Sequence, residues 1–384
     1  MNIQLGTRGP HIGLVLGIVL IFRISLVAAA PPGPIRLAAI LPLSGKADVY
    51  GQAALKGARI AVDEINAKGG VMKQKLVLVL YDNKSKPLNT KQAALTAVSQ
   101  NVVGAVGAIW STHSLVTASV LQHAGVPMIS PGSTAPEVTR VGNFIFRTCY
   151  TDDFQGALMA DFAYQDLNCR KSAIMTNISE TYSQILARYF AEAFTRNGGQ
   201  VVFKGAYKGS AVDFGDLLMQ LKPLAPQVVF IPGYSQDAGL LIKQSNTMGI
   251  QTTFIGGDAW DPHIQDFAGP ALEGSYFSSH WHSGVPYKRS RVFIELYQKS
   301  YGYEEISPFT PLAYDAVWLF VDAISRVDSL NKQKIRDALA ATHNYPGATG
   351  NFTFNINGDP LKKGASILKF SKGQWHFYKA FESE

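Results

Sequence analysis

Short apolar runs alternate with helix-length amphipathic segments along most of this chain, and that alternation constrains the fold most. Residues 35–41 (IRLAAIL), 75–81 (KLVLVLY), 102–109 and 126–129 are each short and nearly all apolar, as strands buried on both faces are. Helix-length segments lie between them at 51–68, 88–100 and 114–123. In the first, Ala54, Leu55, Ala58, Ala61, Val62 and Ile65 share one face, and Gly69-Gly70 ends it. Repeated strand and helix in this order predict a doubly wound parallel sheet. A strand at 143–148 closes the series, and a second begins near Thr151. Its helices are expected at 152–167, 180–197, 213–221 and 235–248, its strands at 172–176, 201–207, 227–232 and 253–255. Periodicity alone reads as two consecutive α/β domains joined by a short hinge. Beyond them come a strand within 273–280, helices at 287–301, 310–327 and 331–341, and a β tail over 350–355, 366–371 and 374–378.

The first thirty residues stand apart. Arg8 precedes the apolar run 12–22 (IGLVLGIVLIF), and small residues follow at 25–30 (SLVAAA). This is the order of a signal peptide, so residues 1–30 are expected to direct the chain out of the cytoplasm rather than stay as an anchor. The run is short for a membrane span, and no cysteine stands near the cleavage region to carry a lipid. The formal charge is +7. No basic cluster interleaved with aromatics accompanies it, so nucleic acid is not expected as a partner. Cys149 and Cys169 flank a predicted helix of about a dozen residues, which spans roughly 18 Å. A disulfide needs Cα atoms within about 7 Å, so two free thiols are expected.

Two hydroxyl-rich turns, Ser111-Thr112-His113-Ser114 and Ser130-Pro131-Gly132-Ser133-Thr134, each follow a predicted strand. A parallel sheet would bring both to its carboxyl edge, where ligands bind in open α/β sheets. Hydroxyls and free N–H groups at a helix start suit a small carboxylate.

Several segments, in order, resemble the leucine/isoleucine/valine-binding proteins of bacterial ABC importers. They are 41–51 (LPLSGKADVYG), 57–71 (GARIAVDEINAKGGV), 125–139 (GVPMISPGSTAPEVT), 146–156 (FRTCYTDDFQG), 213–222, 231–234 (IPGY), 256–262 (GGDAWDP) and 313–320 (AYDAVWLF). The resemblance spans the chain from Pro34 to about Phe381 and implies the type I periplasmic binding fold, two Rossmann-like lobes with parallel sheets joined by three crossovers. Lobe 1 would comprise 34–150 plus 280–354, and lobe 2 would comprise 151–279 plus 355–384, with crossovers near Tyr150, Ser279 and Asn355. It implies capture of a neutral L-amino acid, branched-chain or otherwise aliphatic, in the cleft between lobes. The carrier would be a periplasmic monomer serving a membrane permease, with no cofactor.

Carried over by position, Ser111 would hold the ligand carboxylate, Thr134 both ends of the zwitterion, and the Gly132 carbonyl the ammonium. Asp258 would neutralise the ammonium from the second lobe. Tyr182 and Tyr234 would close over the ligand, while Tyr50 and Phe309 would wall its side chain. Two departures from the family pattern stand out, the second bearing on specificity. Ser85 and Trp110 stand where classical members often carry a disulfide. Trp110 and His113 are bulkier than the family's usual residues beside the carboxylate site, and at least one is expected to line the cleft. An enzyme is disfavoured, since HExxH, GxSxG, GxxxxGK[ST], CxxC and GxGxxG are all absent. His280-Trp281-His282 lacks the acid or cysteine partners of a metal site and is expected to be structural near the hinge. A same-fold sensor of amides or other small carboxylates, feeding a signalling partner, is the other reading.

Overall fold

The computed structural model describes residues 1–6, 9, 33–209 and 211–381. Most of the expected signal peptide therefore lies outside the described residues. Five parallel strands, β1 (Ile35–Leu41), β2 (Leu76–Asp82), β3 (Gly104–Gly107), β4 (Met128–Ser130) and β5 (Ile145–Arg147), form the first sheet in the order β2-β1-β3-β4-β5. The helices α1 (Asp48–Ala67), α2 (Pro87–Ser99) and α3 (Ser111–His123) connect its strands. This order reverses direction between β1 and β3, and the crevice at such a switch point is where a ligand fits.

The second series repeats the plan. It runs α4 (Asp152–Asp161), β6 (Lys171–Asn177), α5 (Thr181–Arg196), β7 (Gln200–Tyr207), α6 (Gly215–Leu221), β8 (Val228–Ile231), α7 (Ser235–Thr247), β9 (Thr253–Gly256), α8 (Ile264–Ala268) and β10 (Tyr276–Ser279). The chain continues as α9 (Lys288–Tyr301), α10 (Phe309–Val327), α11 (Lys332–Ala340), the small hairpin β11 (Tyr345–Gly347) and β12 (Gly350–Phe352), then β13 (Ala365–Ser371) and β14 (Gln374–Phe381). The second sheet has the order β14-β13-β10-β9-β8-β6-β7. Strands β6 to β10 are parallel, and β13 and β14 are antiparallel additions at one edge.

The reading of two consecutive domains is corrected by where the last third of the chain packs. Phe293 of α9, Phe320 of α10 and Ile335 of α11 share one buried cluster with Ile35, Leu37 and Ile60 of the first lobe. Helix α10 is apolar on most of its surface because it sits between α1 and the first sheet, with fourteen of its nineteen residues buried. A Cβ at Gly57 would stand 1.8 Å from the Thr310 carbonyl oxygen, so only glycine lets α1 approach α10 this closely. The tail strands instead extend the second sheet. Such re-entry is set by which faces remain uncovered, not by local periodicity.

Two sequence expectations shift slightly. Helix α3 begins at Ser111 rather than 114, so the first hydroxyl-rich turn is the helix's own first turn. The segment expected as one helix over 152–167 is α4 followed by a π turn, Phe162–Asp166. Cys149 and Cys169 are both free and buried, and burial pushes the Cys149 thiol up to about 12.

Candidate functional site

Loops after β1, β3 and β4 face loops after β6, β8 and β9 across the cleft. Between them lies an inner cavity of about 230 Å³ of empty space. Tyr50, Trp110, Ser111, Gly132, Tyr182, Tyr234, Asp258 and Phe309 line it. Eight of the ten residues expected at the site thus meet in one place. Thr134 is fully buried beside the Asp152 carboxyl. His113 is buried behind Trp110, outside the cavity lining.

The first-lobe end is built for an anion. Ser111 opens α3; the His113 and Ser114 N–H groups bond back to the Trp110 carbonyl at 3.0 and 2.9 Å, so the helix start offers the N–H groups of Ser111 and Thr112. Those dipoles favour negative charge at this end. The Ser111 hydroxyl accepts from the Ala135 N–H at 3.3 Å, which ties the two hydroxyl-rich turns together. Buried Arg147 of β5 fixes the second turn from below. Its guanidinium donates to the Ser133 carbonyl at 2.6 Å, the Ala135 carbonyl at 3.0 Å and the Thr139 hydroxyl at 2.8 Å, and it pairs with Asp359 at 2.6 Å. A Cβ on Gly132 would fall 2.7 Å from the Phe309 ring, so glycine here lets the turn press against that wall.

The opposite end is acidic. Asp258, 2 % exposed, accepts from Gln155 Nε2 at 2.6 Å on one oxygen and meets His280 Nε2 at 2.9 Å on the other. A second carboxylate, Asp152 at the start of α4, is fully buried, and neither oxygen has a hydrogen-bond partner of good geometry among the described residues. Burial raises its pKa well above the usual carboxylate range, and the nearby Asp258 raises it further. The Thr134 hydroxyl, also without a well-formed hydrogen bond, works the other way. His280 has a lowered pKa because it is buried, against the pull of Asp258. Tyr150 lies over His280 with ring centroids 3.8 Å apart.

Reading the sequence missed Asp152, Gln155 and Tyr150 as neighbours of the Asp258–His280 pair and placed His280 only near the hinge. Asp152 and Gln155 both lie within FRTCYTDDFQG, a segment that carried the resemblance. Paired aspartates at a helix start look like ordinary partners of the helix dipole, which hid the first of them. His280 shows no sequence signal for its pairing with a residue 22 positions away.

Aromatic rings and polar latches close the cleft. Trp110 stacks on Tyr234 with centroids 3.8 Å apart and planes 14° from parallel, and His113 stacks behind it at 5.7 Å and 2°. The Tyr50 hydroxyl accepts from the Ser235 N–H at 3.0 Å and donates to the Ala259 carbonyl at 2.9 Å. Thr112 donates to Glu180 at 3.0 Å, Lys46 donates to the Gly209 carbonyl at 3.1 Å, and Ser307 donates to Asp261. An outer hollow of about 990 Å³, open to solvent, shares Tyr50, Trp110 and Tyr234 with the inner cavity.

Two matching α/β lobes with a buried polar cleft at both sheets' switch points define a two-lobed solute-binding protein. The sequence profile of the periplasmic binding proteins matches residues 34–374, and the chain belongs to that family. A leucine-binding protein from Thermotoga maritima is 31% identical and superposes with a TM-score of 0.87 over 90% of this chain and 98% of its own. The branched-chain amino acid substrate-binding protein of Streptococcus pneumoniae, solved with isoleucine, is 29% identical, with a TM-score of 0.85 over 91% and 99%. A Leu/Ile/Val-binding protein of Rhizobium johnstonii is 29% identical over 88% of this chain and 92% of its own. Proteins of this family bind substrates rather than transform them, and membership implies an extracytoplasmic place of work.

Proposed function

We propose that the cleft captures one neutral L-α-amino acid and hands it, in the closed form, to the membrane permease of an ABC importer. The ligand carboxylate rests on Ser111 and the start of α3. The ammonium lies between Asp152 and Asp258, with the Thr134 hydroxyl and Gly132 carbonyl as further acceptors. The rings of Tyr50, Tyr182, Tyr234 and Phe309 surround the side chain. Gln155 and His280 orient Asp258. We place the lobe boundaries at 34–150 with 280–354 and 151–279 with 355–384, and take the working form as a monomer.

Asp152 carries this reading. A buried carboxyl beside Asp258, with neither oxygen in a well-formed hydrogen bond, ionises only where a cation or strong donor meets it. An ammonium opposite a carboxylate seat satisfies both ends at once. Isoleucine in the pneumococcal relative and leucine in the name of the Thermotoga protein support an amino acid here. Isothermal titration of residues 31–384 against the twenty L-amino acids tests it. Saturable heat at one-to-one stoichiometry with one or more neutral amino acids is expected. Absence of heat with all twenty overturns the reading.

A further inference from the structure

We propose that the cavity selects a short side chain that carries an oxygen, a hydroxyl or an amide, over an aliphatic one of equal size. This rests on the amino-acid reading above and adds the side-chain class. The inner cavity is tight, with about 230 Å³ of empty space in all, open solvent included. The Trp110–Tyr234 stack stands between it and the outer hollow, since both rings line both spaces. His113 also lies parallel to Trp110, with ring centroids 5.7 Å apart, which further fixes the indole. A long side chain would have to part the stack.

Three of the aromatic residues that line this small space carry buried polar atoms. Trp110 is 6 % exposed, and its indole N–H is buried with no acceptor among the described residues. The hydroxyl of Tyr234, on the facing ring, is likewise buried and unpartnered. The Tyr182 hydroxyl also lacks a well-formed hydrogen bond, although the Ala259 N–H is near enough to lower its pKa against burial. An aliphatic side chain would leave these groups without partners in the complex. A hydroxyl or amide oxygen would accept from the indole N–H, and a phenol can both give and take. Sites with buried groups that must be hydrogen-bonded reject analogues lacking the matching atom far more strongly than they sense a methylene.

Threonine and valine test this directly, because they differ by a hydroxyl for a methyl at nearly equal volume. Calorimetry on the wild-type protein should find L-threonine bound at least ~10-fold more tightly than L-valine, and L-serine tighter than L-alanine. Trp110→Phe, which keeps a ring in the stack but removes the N–H, should shrink the threonine advantage to ~3-fold or less. Tyr234→Phe should shrink it as well. Valine bound as tightly as threonine by the wild type overturns the side-chain inference while leaving the amino-acid reading intact. Binding of no amino acid overturns both.

Discussion

Asp152 shows how one side chain ties a local cost to a function. Its carboxyl sits beside Asp258 in a fully buried place, and its pKa is raised by burial first and by that neighbour second. In the ligand-free protein it therefore keeps its proton above the ordinary carboxylate range near 4. An ammonium favours the ionised form and lowers that pKa, so the complex holds fewer protons than the free protein. Affinity should then rise with pH until the raised pKa is passed, and binding should release a proton. Titrations in two buffers of different ionisation enthalpy should give different apparent heats; identical heats would mean Asp152 does not change state. Asp152→Asn should weaken amino-acid binding by about 10- to 100-fold, the cost of one charge-assisted hydrogen bond at roughly 1.5–3 kcal/mol. His113 gives a separate test. Burial lowers its pKa to about 4, while the unfolded chain takes up a proton near 6.5. Its contribution to stability is thus intact above about pH 6.5 and is lost as pH falls toward 4, by up to ~3 kcal/mol. His113→Phe, which keeps the ring against Trp110, should flatten the fall in melting temperature between pH 7.5 and 5. An unchanged slope would place the titration elsewhere.

At the scale of elements, the approach of α1 to α10 is the contact least tolerant of change. Gly57→Ala puts a methyl group into the Thr310 carbonyl and should cost about 1–3 kcal/mol, as overpacking does, measured by urea unfolding. A loss within ±0.5 kcal/mol would mean that the two helices separate freely. The strands and most of the helices were legible in the sequence because they follow a simple period, down to the carboxyl-edge turns at Ser111 and Thr134. The return of α9 to α11 to the first lobe was not legible from periodicity, since it depends on which sheet face is still bare. The cleft was legible where a turn and a strand end mark it, as at Asp258. It was hidden where burial decides the role. Asp152 looks like a first-turn aspartate until its surroundings are known, and His280 pairs with Asp258 from beyond α8 and β10, which no local pattern announces.

For the whole molecule, closure is held by contacts spread along the cleft: Tyr50 to Ser235 and Ala259, Thr112 to Glu180, Lys46 to Gly209 and the Trp110–Tyr234 stack. These contacts exist only when the lobes meet, so they bias the equilibrium toward the closed form by their own free energy. Tyr50→Phe removes one such latch without removing its ring. It should weaken ligand binding about 3- to 10-fold while shifting the ligand-free melting temperature by less than about 2 °C. A large loss of ligand-free stability would assign Tyr50 to the core instead. The central claim is that one ligand spans the start of α3 and the Asp152–Asp258 pair with opposite charges at its two ends. Calorimetry with L-valine, with 3-methylbutanoate, which lacks the amine, and with 2-methylpropylamine, which lacks the carboxylate, tests this span most directly. Both halves should bind at least ~100-fold more weakly than the amino acid, whatever the absolute affinity of valine. Either half binding as tightly as the whole would contradict it.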